Sequence, residues 1–406
     1  MTISFATRTF DDKRHKDAMD RVLIGTEARM RAAHRDHLGY PYNLAGATPV
    51  PSSLGSYLIN NLGDPYVGSH YASEVCDLER DAVDWLMRLW ECKDHSRYWG
   101  SVGASGTEGN LWALYLAREA FPKATLFHSR DAHYSIPKAA KILRIEAIAV
   151  DSTPDGAIDV DALASALVTC VGPVIVALTC GTTVKGAHDD IAAVIQCLDE
   201  AGVGPDRRFV HVDGALNAMV LPFVKEAPIA IKPSFRHGID SISTSGHKMI
   251  GTPMPCGVLV ARRTHVDRVA SAIAYLRSND TTMMGSRNGH AVLALWARFN
   301  GHGIAGYTAD TKACLARAAR LVALLEDADV PVRRNPHALT VLFPEPEESI
   351  VCTYQLACSR GEAHAIVMPN VTDNLIDRFV GDYLSWWGWH GRQWRVRQER
   401  AQTVRA

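Results

Sequence analysis

The pattern of apolar and polar positions changes character at about residue 73. Residues 1–50 are polar and then rich in Gly, Pro and Asn (GYPYNLAGATPVPSSLG, from Gly39), which reads as an arm or irregular lead-in, not a core element. From Glu74 to Trp90, Leu78, Val83, Leu86, Leu89 and Trp90 recur near helical spacing, and GTEGNLWALYLAREAF from Gly106 does likewise. Short apolar runs then alternate with helical stretches: ATLFHS, EAIAVDS, VIVALTC, RFVHVDG, SISTSG and CGVLVARR. Such alternation predicts an α/β domain whose mostly parallel sheet is covered on both faces. Beyond residue 300 a helical pattern (TADTKACLARAARLVALLEDA) leads to ALTVLFPEP, HAIVMPNVT and NLIDRFVGDYLSWW, a smaller α+β unit. The expected organisation is an N-terminal segment 1–72, a large domain 73–300, a small domain 301–388 and a polar tail 389–406.

Composition narrows the function classes. With 406 residues, 47% hydrophobic and 21% charged, the chain can bury a large core, and its length exceeds the roughly 250–300 residues at which single cores stop growing. A formal net charge of −1 gives no electrostatic case for nucleic acid or an acidic membrane, so a small molecule is the expected partner. The nine cysteines include no C-x-x-C pair, which supports neither a disulfide framework nor a metal site. They read as reduced thiols of a cytoplasmic protein. The opening residues lack the apolar core of a signal peptide, and no later run reaches the roughly 18 apolar residues of a membrane span.

The sharpest chemical signal is SISTSGHKMIGTPMPCGVLVAR, where Lys248 leaves the sheet just after a strand. A lone loop lysine is usually a solvated charge, so its neighbours decide. Asp213 ends the apolar run RFVHVD and is followed by the small residues Gly214 and Ala215. A carboxylate there is costly to bury without a cation, although it could instead cap the next element. Pyridoxal 5'-phosphate (PLP) supplies that cation: a lysine holds its aldehyde as a Schiff base, and its ring nitrogen needs a carboxylate to stay protonated. Small residues beside the aspartate let a flat ring approach the backbone. Upstream, Gly103-Ala104-Ser105-Gly106-Thr107-Glu108-Gly109-Asn110 is a small-residue turn opening a helix, suited to a phosphate. His133, in SRDAHYS, could stack on the ring, and Thr182 and Thr183 could reach its edge, with turn chemistry as their alternative.

In that order these elements resemble the group II PLP-dependent decarboxylases of fold type I, above all the bacterial PLP-type histidine decarboxylases and plant serine decarboxylases. NNLGDP, GTEGN, DAHYS, GTTVKGA, HVDGAL, SGHKMIG, PMPCG, GSRNGH and HAIVMPNVT carry the resemblance, which spans roughly residues 35–380. It implies that Lys248 carries PLP, Asp213 meets the ring nitrogen and His133 covers the ring, with Ala215 beneath it. Ser105, Gly106, Thr107, Ser245 and His247 would surround the phosphate, and Ser286 joins the cofactor's surroundings. Tyr275, in a stretch that forms a mobile loop in such enzymes, becomes a candidate proton donor to Cα, with packing on a helix as its alternative. One departure stands out. Where these relatives read W-G-Y-x-T-N, this chain has Trp99-Gly100-Ser101-Val102-Gly103-Ala104, so Ser101 and Ala104, with Tyr71, are placed in an altered substrate pocket.

The implied reaction is decarboxylation of a free L-amino acid to its amine. Histidine is the first candidate, with serine or an unusual biosynthetic amino acid as alternatives. An aminotransferase or aldolase-type lyase would instead form a keto acid without CO₂, and a non-catalytic binding protein of this fold would lack the cofactor's visible absorbance. The resemblance also implies a homodimer, with GSRNGH and the nearby loop reaching the neighbour's cofactor.

Overall fold

The computed structural model describes residues 13–46 and 50–403, so the opening stretch 1–12, read above as lacking a signal peptide, lies outside the described residues. The chain begins with α1 (Lys13–Arg35), then β1 (Asn60–Leu62), α2 (Cys76–Leu89), β2 (Tyr98–Gly103) and α3 (Gly106–Ala120). There follow β3 (Thr125–Ser129), α4 (Ser135–Leu143), β4 (Glu146–Val150), α5 (Val160–Leu167), β5 (Val174–Thr179), α6 (Ile191–Glu200), β6 (Arg208–Asp213) and β7 (Ser241–Ser245). After β8 (Gly257–Arg262) come α7 (Arg263–Val266), the short strands β9 (Ser271–Ile273), β10 (Ser278–Asp280) and β11 (Ser286–Asn288), and α8 (Gly289–Glu326). The last part holds β12 (Thr340–Pro344), α9 (Glu348–Tyr354), β13 (Ala357–Ser359), β14 (Glu362–Ile366) and α10 (Asp373–Thr403).

The central sheet has seven strands in the order β2-β8-β7-β6-β5-β3-β4. From β7 to β4 all neighbours are parallel, and only β8 runs against the rest. Strand side chains alternate between the two faces. Ile175, Ala177, Phe209, Leu259 and Ala261 join one buried cluster with Trp99 and Trp112, while Val174, Val176, Val210, Val212, Val258 and Val260 join the other. Both faces are covered, which is why these strands read as continuous apolar runs and not as alternating ones. The six strand runs expected from sequence lie on β3 to β8 to within two residues at either end. β2 carries no such signal, because YWGSVG holds two glycines and a serine.

Two flanking segments depart from the sequence expectation. The lead-in is not merely an arm: α1 is helical, and Leu38, fully buried, donates its N–H to the Tyr354 carbonyl (3.1 Å) and accepts from Ile366 N (2.8 Å). Asn43 reaches the Met249 carbonyl at 3.1 Å, beside the segment that carries Lys248. At the other end, the polar stretch from residue 389 continues α10 to Thr403. The small sheet, β12-β14-β13, is antiparallel, and α8 reaches it after breaking at Gly303, whose φ of 62° favours glycine.

Candidate active site

In open α/β sheets, ligands bind outside the carboxyl ends of the parallel strands, where the strand order reverses. Here the chain leaves β3 toward β4 on one side and β5 on the other, and the loops after β3, β5, β6 and β7 converge. Together with the start of α3 they line a cavity of about 400 Å³. Its wall includes Lys248, Asp213, His133, Ser105, Gly106, Thr107, Thr182, Thr183, Ala215, Ser245 and His247, so eleven of the site residues expected from sequence meet in one place.

Lys248 sits in a tight turn over Gly246–Ile250, in which Gly246 N–H donates to the Cys256 carbonyl (2.9 Å) and Gly251 N–H returns to the Gly246 carbonyl (2.8 Å). An added Cβ on Gly246 would lie 2.3 Å from Cys256 Sγ, so only glycine lets the turn close on β8. Burial pushes the Lys248 ammonium below its usual range, and the Asp213 charge opposes that shift. A lysine so placed gives up its proton more readily, as an amine nucleophile must.

Asp213, 4% exposed, ends β6. Its Oδ1 accepts from Ala215 N (3.1 Å), and its Oδ2 accepts from Asn110 Nδ2 (2.7 Å). Asn110 also lines the cavity, and the sequence reading places it only within the small-residue turn. It stands in the first turns of α3, 1% exposed, and its string GTEGN reads as a phosphate turn alone. The available signal was an amide three and four positions before the buried Ala113 and Leu114, on the same face of α3. His133 accepts at Nδ1 from Ser135 N (3.3 Å) and lies 2.7 Å from Ser135 Oγ; burial holds its imidazole below the usual range, hence neutral. Thr182 Oγ1 accepts from Ala187 N (3.0 Å), the turn role weighed against a cofactor role.

The N-terminus of α3 lines the cavity and offers a place for an anion. Ser105 caps the helix by accepting from Glu108 N (3.3 Å), and the Glu108 carboxylate accepts from Ala104 N (2.6 Å), a variant of the capping box. The first helical N–H groups remain for an anion. An added Cβ on Gly106 would lie 2.4 Å from Ser245 Oγ, so a side chain there would fill the cradle between helix and strand. Thr179 Oγ1 and Asn217 Oδ1, both on cavity-lining residues, are buried without a protein partner. An anion cradle, a lysine with depressed basicity, a buried carboxylate and unmatched polar atoms at one cavity are the features PLP requires.

Five expected residues do not reach this cavity. Ser101 is fully buried, 2.9 Å from Glu79 Oε1 and 2.8 Å from Arg287 Nη1, behind the Glu79–Arg287 ion pair. Ala104 is exposed, Tyr71 is 47% exposed, and Ser286 lies on β11 against β1; none lines the cavity. Tyr275 sits at the tip of the β9–β10 hairpin, 76% exposed. Conversely, Tyr40 and Tyr42 of the lead-in and Thr340 and His364 of the small sheet line the wall. Nothing local in their sequence marks them, because distant chain segments bring them there.

Sheet order, lysine turn and buried carboxylate together define a PLP-dependent enzyme of fold type I. Residues 37–343 match the pyridoxal-dependent decarboxylase conserved domain, and the chain belongs to that family. It is 41% identical to serine decarboxylase 1 of Oryza sativa subsp. japonica over 94% of this chain and 80% of that protein. To the histidine decarboxylase of Pseudomonas entomophila it is 38% identical, over 86% of each. Its fold is similar to that of L-methionine decarboxylase from Streptomyces sp.590, with a TM-score of 0.81 and 26% identity over 93% of this chain and 95% of that one. The protein is thus a PLP-dependent amino-acid decarboxylase. Among the described residues no helix is long and apolar enough to cross a membrane.

Proposed function

We propose that this cavity takes a free L-amino acid whose side chain carries no full charge, histidine first and serine as the alternative, and releases its α-carboxylate as CO₂. The observation that carries the reading is the charge inventory of the wall. Among the described residues lining it, Asp213 is the one carboxylate and Lys248 the one lysine or arginine. An acidic side chain would find no arginine and a strongly basic one no second carboxylate, and a buried unpaired charge is costly. Tyr40 and Tyr42, with ring centroids 5.9 Å apart and stacked, offer a flat aromatic wall that suits an imidazole. Relatives named for serine and for histidine, at 41% and 38% identity, keep the alternative open.

PLP, when bound, supplies the electron sink that lets the bond to the carboxylate break. The chain's own groups do the rest. Lys248 carries the cofactor, and Asp213 holds the proton on its ring nitrogen. The N–H groups of Gly106 and Thr107, with Ser105, Ser245 and His247, hold the phosphate. Ala215, His133, Thr182 and Thr183, which line the same cavity, would enclose the cofactor's ring. We assign the proton delivered to Cα to Tyr275 of a second copy. Tyr275 lies outside its own cavity, and a homodimer that lays the β9–β10 hairpin and Ser286 against the neighbour's cavity supplies it. Exposed Tyr57, Tyr71 and Met284 give such an interface apolar surface. Nine unpaired thiols fit a reducing compartment such as the cytoplasm.

The test is a screen of the proteinogenic amino acids for CO₂ release, with the amine identified by mass. Activity confined to uncharged side chains, histidine or serine foremost, supports the reading. A preference for glutamate or ornithine, or keto-acid formation without CO₂, overturns it. For the dimer, a Lys248→Ala chain mixed with a Tyr275→Phe chain should regain activity, and no regain in the mixed dimer would place each site in one chain.

A further inference from the structure

Asn110 uses every hydrogen bond its side chain can make. Its Nδ2 donates to Asp213 Oδ2 (2.7 Å) and to Ser135 Oγ (2.8 Å); its Oδ1 accepts from Ser243 Oγ (2.8 Å) and from His211 Nε2 (3.0 Å). These four partners fix which way the amide points. His211, fully buried and pushed down to about 4 by burial, is a neutral ring, and its Nδ1 lies 2.9 Å from Ser241 Oγ. Because Nε2 donates to Asn110, that Nδ1 accepts, so the rear of the network has one proton arrangement.

The front of the network has one proton arrangement as well. Ser135 Oγ already accepts from Asn110, which frees its own proton for His133 Nδ1 at 2.7 Å, and Ser135 N–H points at that same nitrogen. His133 Nδ1 is therefore an acceptor, and the neutral ring carries its proton on Nε2. One amide thus touches the carboxylate at one end of the site and, through a single hydroxyl, sets the tautomer of the imidazole at the other.

We infer that Asn110 is a positioning residue that couples Asp213 to His133, orienting the carboxylate toward the cofactor's ring nitrogen while holding His133 as the Nε2–H tautomer. The inference rests on the cofactor roles proposed for those two residues. Fully satisfied buried networks of this kind fix geometry, and removing one member leaves several groups unpaired.

The test uses PLP-loaded protein and two readouts, the pH titration of the lysine-bound cofactor's visible band and the split between kcat and KM. Asn110→Ala leaves Asp213 Oδ2 without its donor, so that oxygen draws the ring nitrogen's proton more strongly and the ring becomes less electron-poor. The band's midpoint should rise by about half a unit or more, and kcat should fall about a hundredfold with KM within about threefold. Ser135→Ala cuts only the branch to His133: the midpoint should stay, kcat should fall about tenfold, and Ser135→Thr should restore it. A wild-type midpoint and kcat in Asn110→Ala, or an equal midpoint shift in Ser135→Ala, would overturn the coupling. If Asn110→Ala fails to fold, the Ser135 pair decides, and unchanged kcat in Ser135→Ala overturns it. Absence of a visible band in PLP-treated wild-type protein would instead sink the cofactor roles beneath the inference, and is told apart by that control.

Discussion

At the carboxyl edge of the sheet, loops spread over more than a hundred residues of chain bring His133, Asp213, Ser245 and Lys248 to one cavity, whereas the flank at residues 101 and 275–287 stays out of it. Both regions carry strings that resemble one enzyme family, yet they do different physical work. The edge exposes polar groups to a cavity with few protein partners for them. In the flank most polar groups pair with one another. Glu79 accepts from Asn61 Nδ2 (2.8 Å), Ser101 Oγ (2.9 Å) and Val102 N (2.7 Å), and pairs with Arg287, whose Nη2 donates to the Gly63 carbonyl (3.1 Å). β2 is an edge strand, and Glu79 occupies an N–H that would otherwise lack a partner. A serine beside a cofactor motif is thus part of an ion-pair seal, and the small side chain at 101 makes room for Arg287 and not for substrate.

This contrast predicts that substitutions at the edge are read in chemistry and those in the flank in stability. The largest effect is Lys248→Ala, which should abolish turnover and the visible band, because no other lysine among the described residues lines the cavity. Steady-state assay and an absorbance spectrum check both. Next comes Asp213→Asn, expected to lower kcat about a thousandfold, or about 4 kcal/mol of transition-state stabilisation, with the melting temperature little changed. Near-normal kcat would mean that another group meets the ring nitrogen. Arg287→Ala should reverse the pattern. It strands a buried Glu79 and should cost about 3–5 kcal/mol of stability in denaturant titration, while folded molecules keep their substrate preference.

Ser101→Tyr sharpens the comparison further. A ring at a fully buried position packed on Glu79 and Arg287 should cost about 1–3 kcal/mol without altering the substrate profile. A changed profile with unchanged stability would return residue 101 to the pocket wall. The smallest effect concerns pH. His364, buried on β14, is pushed down to about 4 by burial, below its ordinary 6.5. A depressed folded-state value means the unfolded chain binds the extra proton first. The stability this group contributes is present above pH 6.5 and is lost as pH falls toward 4. His364→Gln should therefore flatten the fall in melting temperature across that window, and an unchanged slope would place the acid sensitivity elsewhere.

What was legible in the chain follows from how local each signal is. The strand cores and α3 were readable because β-branched and apolar runs bounded by Gly, Asp or Ser determine them within a few residues. Lys248 and Asp213 were readable because each interrupts such a run at its carboxyl end. Asn110 was not, because a polar residue two positions before buried Trp112 declares its role only once His211, Ser243 and Asp213 are placed around it. Tyr40 and His364 lie more than three hundred residues apart, so their shared wall is a product of tertiary folding. Ser101 misled because adjacency to a motif says nothing about which side of an edge strand a hydroxyl meets.

The central claim is that the chemistry is organised around Lys248 at the carboxyl edge of the sheet. Borohydride reduction of the PLP-treated protein, followed by peptide mapping, tests it most directly. A single pyridoxyl group is expected on Lys248, in the peptide spanning SGHKMIG, and none on the Lys248→Ala chain. A label on Lys185, whose Nζ lies 3.4 Å from Asp131, or on any other lysine of the folded protein would contradict it.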